Sequence, residues 1–291
     1  MDALGVTAIA VVAAVAAAYL VWRVRWGYPH QSIPRVLAYH KVTGFELGGT
    51  WVPPGRFISQ IEMLLENGYR FIDEETFLEV IDGRRRQSSR EVLLTFDDGY
   101  RILLSNAFPY LASRGIPSLV FLVSSYIGKE NTWELYWPGR RFRHLDWFEA
   151  RDLLQGGVSF GSHTRTHRNL TNLQREGVRE ELAGSKKEIE DRLGRPVYSL
   201  SYPFGRFDAG IIDETERAGY RAAFSLYPGR GCGRLDRYAL RRDGVYIIDT
   251  HRSLRAKLGR DGLFWIEDLK GRVINGVAAL TPFLKGMAKH I

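Results

Sequence analysis

Residues 92–123 read VLLTFDDGYRILLSNAFPYLASRGIPSLVFLV, and three patterns follow one another in them. Residues 92–96 are a short apolar run of the length of a buried strand. After the turn residues Asp97, Asp98 and Gly99, residues 102–113 space their apolar side chains for a helix, and Gly115 stands where C′ glycines end helices. Residues 119–123 form a second apolar run. A buried strand, a helix and another buried strand in close succession predict a β-α-β unit with parallel strands.

The alternation extends in both directions. Further strands are expected at residues 36–39, 70–72, 158–160, 198–202, 222–225 and 245–248, and helices at 57–66, 75–81, 147–154, 174–193 and 209–218. Gly68, Gly156, Gly194 and Gly219 stand just past helices as Gly115 does. Seven or eight such units fit an α/β fold closed into a barrel, with an open doubly wound sheet as the alternative. No GxGxxG follows the first strand, which argues against dinucleotide binding.

The start of the chain is of another kind. Residues 4–22 read LGVTAIAVVAAVAAAYLVW, with no charge. That is enough apolar chain to span a bilayer as a helix, with Tyr19 and Trp22 at the interface and Arg23 and Arg25 beyond. A cleaved signal peptide is the alternative, with Ala14-Val15-Ala16 as its cleavage pattern. The arginines on the carboxyl side lean towards a cytoplasmic domain, and the topology is left open. The resulting division is a transmembrane anchor at 1–25, a linker at 26–34, a barrel at 35–250 and a helical extension at 251–291. In the extension Val273, Ile274, Val277, Leu280, Phe283, Leu284 and Met287 recur at helical spacing, with Arg272, Lys285 and Lys289 among them. They read as a helix covering the barrel or as a basic amphipathic helix resting on a membrane. Residues 250–262 show no clear pattern.

The 291 residues are 45% hydrophobic and 25% charged, enough for a substantial core, and the single cysteine, Cys232, excludes an intrachain disulfide. A net charge of +8 favours acidic partners. No nucleic-acid-binding signature accompanies it, so a lipid or glycan partner is expected rather than nucleic acid. Nothing fixes the oligomeric state.

Three segments carry chemistry, and each follows an expected strand, where a parallel barrel builds its active face. In Thr95-Phe96-Asp97-Asp98-Gly99-Tyr100, successive strand side chains point to opposite sides, but a turn brings both carboxylates to one site. One can bind a cation while the other accepts a proton. In Ser162-His163-Thr164-Arg165-Thr166-His167, histidines four apart can share one face of a helical turn and hold one metal. Asp98 then completes a His₂-carboxylate set with open positions, as catalytic metal sites have. Ser201-Tyr202-Pro203-Phe204-Gly205 is a turn able to aim a backbone N–H into the site. Asp97 and Asp98 read equally as helix-capping residues, and the last segment as a strand-ending turn.

Together these segments resemble the polysaccharide deacetylase family (carbohydrate esterase family 4) over residues 35–248. Leu37-Ala38-Tyr39-His40 and the stretch from Phe57 to Gly68-Tyr69 are similar to the branch that includes exopolysaccharide poly-N-acetylglucosamine deacetylases. The resemblance implies a distorted (β/α)7-8 barrel and a hydrolase that removes N-acetyl groups from an amino sugar, in a polysaccharide or on a lipid-linked glycan. It implies Asp97 as general base, Asp98, His163 and His167 as ligands of a divalent metal, and Phe204 as the residue whose backbone N–H faces the oxyanion. Zinc is expected first, and cobalt, nickel or iron(II) also suit those ligands. Tyr202 and Tyr100 are further candidates for substrate or oxyanion contact. Two departures stand out. The family's third motif often opens with an arginine that orients the base, and Ser201 occupies that place. Its last motif, Leu-x-His, supplies the general acid, and Leu240-Arg241-Arg242 has no histidine. His40, at the end of the first strand, is the candidate acid in its stead. The alternatives are a sugar-binding pseudoenzyme of the same fold and a membrane scaffold. Trp51, Trp133, Tyr136 and Trp137 are candidates to stack on sugar rings.

Overall fold

Short strands buried on both faces need cover on both, and closing them into a ring of helices supplies it. The structure, a computed structural model, describes residues 33–134, 141–228, 236–259 and 263–278, besides Ala17 and Ala18. The strands are β1 (Arg35–Tyr39), β2 (Lys41–Val42), β3 (Trp51–Val52), β4 (Arg70–Ile72), β5 (Glu91–Phe96), β6 (Ser118–Leu122), β7 (Val158–Ser162), β8 (Ser199–Ser201), β9 (Ala222–Leu226) and β10 (Leu240–Gly244). Seven of them close a parallel barrel in the order β1-β10-β9-β8-β7-β6-β5, with β5 pairing back onto β1. The short pair β2-β3 stands outside it.

The ring is irregular at β5. Its first half pairs with β4, Arg70 to Ile72 lying opposite Glu91 to Leu93, while its end pairs with β6 through Thr95 and Phe96. The strand β4 thus lies along the lower half of β5 and is absent at the top, where β6 pairs with β5.

Alternation along each strand separates two layers. Val92, Leu94 and Phe96 face out into the main core under the helices, while Leu93 faces in and packs with Leu119, Phe121, Phe224 and Leu240. The inward rows end at the top with His40, Asp97, His163, Ser201 and Arg242. Gly161 lies on an inward row, where a Cβ would come within 2.7 Å of the Phe121 ring and 2.8 Å of the Ser199 carbonyl. Only glycine leaves the barrel interior room for that ring.

Most helices fall where periodicity places them: Pro54–Glu66, Glu74–Ile81, Trp147–Gln155 and Ala209–Arg217. Asp73, Asp146 and Asp208 cap three of them by accepting from backbone N–H groups. Elsewhere the expectation is corrected. The helix expected over 102–113 is two, Leu103–Asn106 and Phe108–Ser113, broken at Ala107 (φ −130°), because Pro109 has no N–H to continue the first. Gly156 keeps a φ of −93° and the left-handed residue is Gly157. The last barrel strand is Leu240–Gly244, not 245–248. Residues 251–259, within the stretch left without a pattern, form the helix His251–Gly259, and Phe264–Ala278 follows as the closing helix.

Buried ion pairs fasten that closing helix to the barrel. Arg241 on β10 pairs with Asp243 and Asp268, each at 2.6 Å, and Asp268 also holds Arg272 at 2.7 Å. Lys270 and Lys257 both reach Asp249. Among the described residues no helix is long and apolar enough to cross a membrane. Of the span expected at 4–22 only Ala17 and Ala18 are described, and residues 26–32, Tyr136, Trp137, Cys232 and the tail from 279 also lie outside the described residues.

Candidate active site

The two aspartates after β5 reach one site because the backbone reverses between them. Asp97 still belongs to the strand pattern, its N–H donating to the Tyr39 carbonyl at 2.9 Å. Asp98 takes a left-handed φ of 67°, which swings its carboxylate back over the barrel mouth. His144 holds that turn from behind, its Nδ1 lying 2.7 Å from the Asp98 carbonyl.

His163 and His167 come together differently from the helical turn the spacing suggested. They lie on an irregular loop after β7 in which Thr164 (φ 66°) and His167 (φ 59°) are left-handed. Ser162 Oγ accepts from the Thr164 N–H at 3.1 Å and Thr164 Oγ1 from the His167 N–H at 3.2 Å. The buried carboxylate of Glu181, on the following helix, accepts from the N–H groups of Arg165 and Thr166 at 2.9 and 2.8 Å. Glu181 carries no mark in the sequence that separates it from its acidic neighbours.

These turns bring Asp98 Oδ1 to 3.7 Å from His163 Nε2 and 3.5 Å from His167 Nε2. One ligand atom from each of the three buried residues lies within 4.8 Å of the others. His163 Nδ1 is 2.7 Å from the Ser201 carbonyl. A carbonyl only accepts, so Nδ1 carries the proton and Nε2 presents its lone pair to the cluster. Burial pushes both imidazoles down from their ordinary value, His167 further because His163 also faces it. Neutral imidazole is the form that binds a cation. Burial, with Glu134 and Asp97 close by, pushes the Asp98 carboxyl well above the usual carboxylate range, and its buried Oδ1 has no hydrogen-bond partner. The inward lone pair of His163, the Nε2 of His167 beside it and an orphaned carboxylate oxygen fit a divalent cation.

Asp97 is held in the opposite state. Burial alone would raise its carboxyl, but Arg242 outweighs this and holds it well below the usual range. The fully buried guanidinium donates Nη1 to Asp97 Oδ1 at 2.6 Å, Nη2 to Oδ2 at 2.7 Å, and Nη2 again to Ser201 Oγ at 2.6 Å. Arg242 is the residue that sequence reasoning missed. The arginine lacking at Ser201 arrives from β10, and Ser201 is small enough to let it pass and polar enough to accept from it.

His40 ends the first inward row with Nε2 3.9 Å from Asp97 Oδ2, and burial pushes it down to about 4. Phe204 sits in the turn after β8 with a left-handed φ of 57° and lays its ring edge-on to His167, centroids 4.9 Å apart. Gly205 after it is obligatory, since a Cβ would meet the Leu226 carbonyl at 2.7 Å. Asn275 on the closing helix donates Nδ2 to the Phe204 carbonyl at 2.9 Å. Tyr202 directs its hydroxyl away, to Thr215 Oγ1 at 3.2 Å. The Tyr100 ring stacks on His144 and its hydroxyl accepts from Asn131, behind the ligand cluster. Trp133 stacks on His167, centroids 4.4 Å apart, while Trp51 is buried on β3. Lys41, fully buried, pairs with Glu46 at 2.8 Å and Glu134 at 2.5 Å. A cavity of about 410 Å³ opens over the cluster, between Trp133, Leu47 and Val273.

Known proteins share this arrangement of chain. The polysaccharide deacetylase family model matches residues 84–223. The Bacillus subtilis polysaccharide deacetylase homologue YxkH is 27% identical over 207 residues, which cover 71% of this chain and 69% of that one. The poly-beta-1,6-N-acetyl-D-glucosamine N-deacetylase of Staphylococcus aureus is 24% identical over 60% of this chain, which spans 61% of that enzyme's length. The deacetylase PplD of Streptococcus pyogenes, solved with acetate, has the same fold with a TM-score of 0.67 at 20% identity, covering 78% of this chain and 97% of that one. Residues 84–223 thus match the polysaccharide deacetylase domain, and the homologues of the chain include a poly-beta-1,6-N-acetyl-D-glucosamine N-deacetylase.

Proposed function

We propose that the protein is a metal-dependent N-deacetylase acting on an N-acetylated amino sugar, in a polysaccharide or a lipid-linked glycan. One observation carries the reading. An orphaned carboxylate oxygen and two imidazole nitrogens converge beside a second carboxylate that an arginine keeps ionised. The Staphylococcus relative acts on poly-N-acetylglucosamine by its name.

Asp98, His163 and His167 would hold a divalent cation, zinc first by ligand type. Held there, it would supply Lewis-acid chemistry to the acetyl carbonyl and to the attacking water. The chain's own residues do the remaining work. Asp97, fixed by Arg242, accepts the proton of the attacking water. The Phe204 turn, braced by Asn275, offers its backbone N–H to the oxygen that gains charge. His40 lies within 3.9 Å of the Asp97 carboxylate and is placed to hand a proton on to the leaving nitrogen. Acetate and a free amine result. Trp133 and Phe204, packed on His167, close the site around the acetyl group. The uncharged residues 4–22 make single-pass membrane attachment part of the same proposal.

Acetate release from N-acetylglucosamine oligomers and from lipid-linked amino sugars tests the reading, on protein stripped of metal and then reloaded. Turnover that is unaffected by stripping refutes it. Substrate binding without acetate release, with metal restored, favours the sugar-binding pseudoenzyme.

A further inference from the structure

Large hydrophobic side chains stand exposed around this cavity, beside the aromatic and polar groups that line it. Among the described residues six large hydrophobics stand exposed, and four of them, Phe45 (47%), Leu47 (48%), Ile248 (56%) and Val273 (58%), belong to three segments that meet at the cavity mouth. Leu47 and Val273 line the cavity itself. Ile248 joins them because the Ile247 N–H donates to the Gly49 carbonyl at 3.3 Å. Phe45, in the same loop, packs edge-on to Trp51 at 6.2 Å. Ile266, exposed at 43%, precedes Val273 by two turns of the closing helix and extends the patch along it.

Positive charge borders these side chains. Arg56 is exposed and donates to the Ile247 carbonyl, and Arg252 is exposed on the helix that starts just after Ile248. The acidic groups on the same segments, Glu46, Asp249, Glu267 and Asp268, are buried and paired, with Lys41, with Lys257 and Lys270, with Lys270, and with Arg241 and Arg272. The closing helix leads from Val273 into residues 279–291, where Leu280, Phe283, Leu284 and Met287 alternate with Lys285 and Lys289.

An apolar patch with a cationic border matches a bilayer interface, where aliphatic side chains enter the acyl boundary and arginines meet lipid phosphates. We propose that the mouth of the cavity docks on an anionic lipid surface, so that the site takes an N-acetylated amino sugar carried on a lipid at headgroup level. The substrate half of this inference rests on the deacetylase reading; the docking half does not.

The test uses the full-length chain in vesicles of phosphatidylcholine and phosphatidylglycerol. On a Cys232→Ser background, an environment-sensitive fluorophore is placed at Phe45→Cys, at Ile248→Cys and, as control, at Ser89→Cys, which precedes β5 at the opposite end of the barrel. Docking gives a blue shift, and loss of fluorescence to lipids spin-labelled near the headgroup, at positions 45 and 248 but not at 89. Equal behaviour at all three positions overturns it. So does a shift that disappears when the protein is diluted into excess lipid, the sign of a second copy covering the rim. Acetate release is read separately. Docking with release from soluble oligomers only overturns the lipid-carried substrate, whereas docking with no release from any amino sugar overturns the deacetylase reading instead.

Discussion

Removing Arg242 exposes how far the site depends on one buried ion pair. Arg242 is fully buried and gives Asp97 two hydrogen bonds, at 2.6 and 2.7 Å, and Ser201 one at 2.6 Å. Breaking a buried pair from one side strands the other charge, at about 3–5 kcal/mol. Arg242→Met and Asp97→Asn should each lower stability by about that much. The double variant leaves no stranded charge, so its loss should fall short of the sum by about 2–3 kcal/mol. Urea midpoints at constant slope measure this without reference to activity. Arg242→Lys keeps the charge and loses the fork, and should recover only part of the stability. In Arg242→Met only His163 and His40 still oppose burial, so the Asp97 carboxyl is pushed up from where the guanidinium holds it. Acetate release should then fall by roughly 10²–10⁴. Single variants with unchanged midpoints, or a double variant additive within about 0.5 kcal/mol, would refute the reasoning.

Three further outcomes follow from the same geometry. Asp98→Ala or His163→Ala should abolish both stoichiometric cation binding, read by metal analysis after dialysis, and acetate release; tight metal retention by either variant sinks the ligand assignment. Burial raises Glu74, at the bottom of the barrel, from 4.5 to about 7, so the folded state holds its proton and that stabilisation is present below 4.5 and lost as pH rises through about 7. Glu74→Gln should therefore be the more stable protein at alkaline pH, by up to about 3 kcal/mol, with the gain absent in acid; thermal unfolding across pH reads the sign. Gly161→Ala should cost about 1–3 kcal/mol by driving a Cβ into Phe121 and the Ser199 carbonyl, and a variant with unchanged melting would mean that the interior yields more easily than its packing implies.

What could be read from the sequence was whatever announces itself in periodicity. The barrel strands from Arg35–Tyr39 to Ala222–Leu226 are apolar runs between turns, and most helices carry amphipathic spacing and caps. The last strand hid because Leu240-Arg241-Arg242-Asp243-Gly244 reads as polar, and hydropathy has no means of recognising charges that neutralise one another inside a fold. The more apolar residues 245–248 took its place in the reading, although they lie where the chain leaves the barrel. The same blindness concealed Arg242. A motif that lacked a histidine at its end and another that lacked an arginine at its start were two halves of one exchange, visible only once β10 and β8 stand near each other on the ring. The histidine loop was legible in composition but not in shape, since nothing in Thr164 or His167 marks a left-handed backbone.

That backbone shows how the site and the fold constrain each other. Six described non-glycine residues have positive φ, and Asp98, Thr164, His167 and Phe204 are four of them. Each such conformation costs on the order of 1 kcal/mol or more in a free chain, so the loops alone would not keep it. Three of the four are held by partners brought by folding. His144 takes the Asp98 carbonyl, the Ser124 N–H takes that of Thr164 at 3.2 Å, and Asn275 takes that of Phe204. Those partners lie 40 to 71 residues away along the chain. The turns that bring two imidazoles, a carboxylate and the Phe204 ring together are therefore paid for by closure of the barrel and docking of the last helix. On the proposed reading, the geometry of Asp98, His163 and His167 is set by the fold before any cation binds, and the cation would displace protons from the cluster.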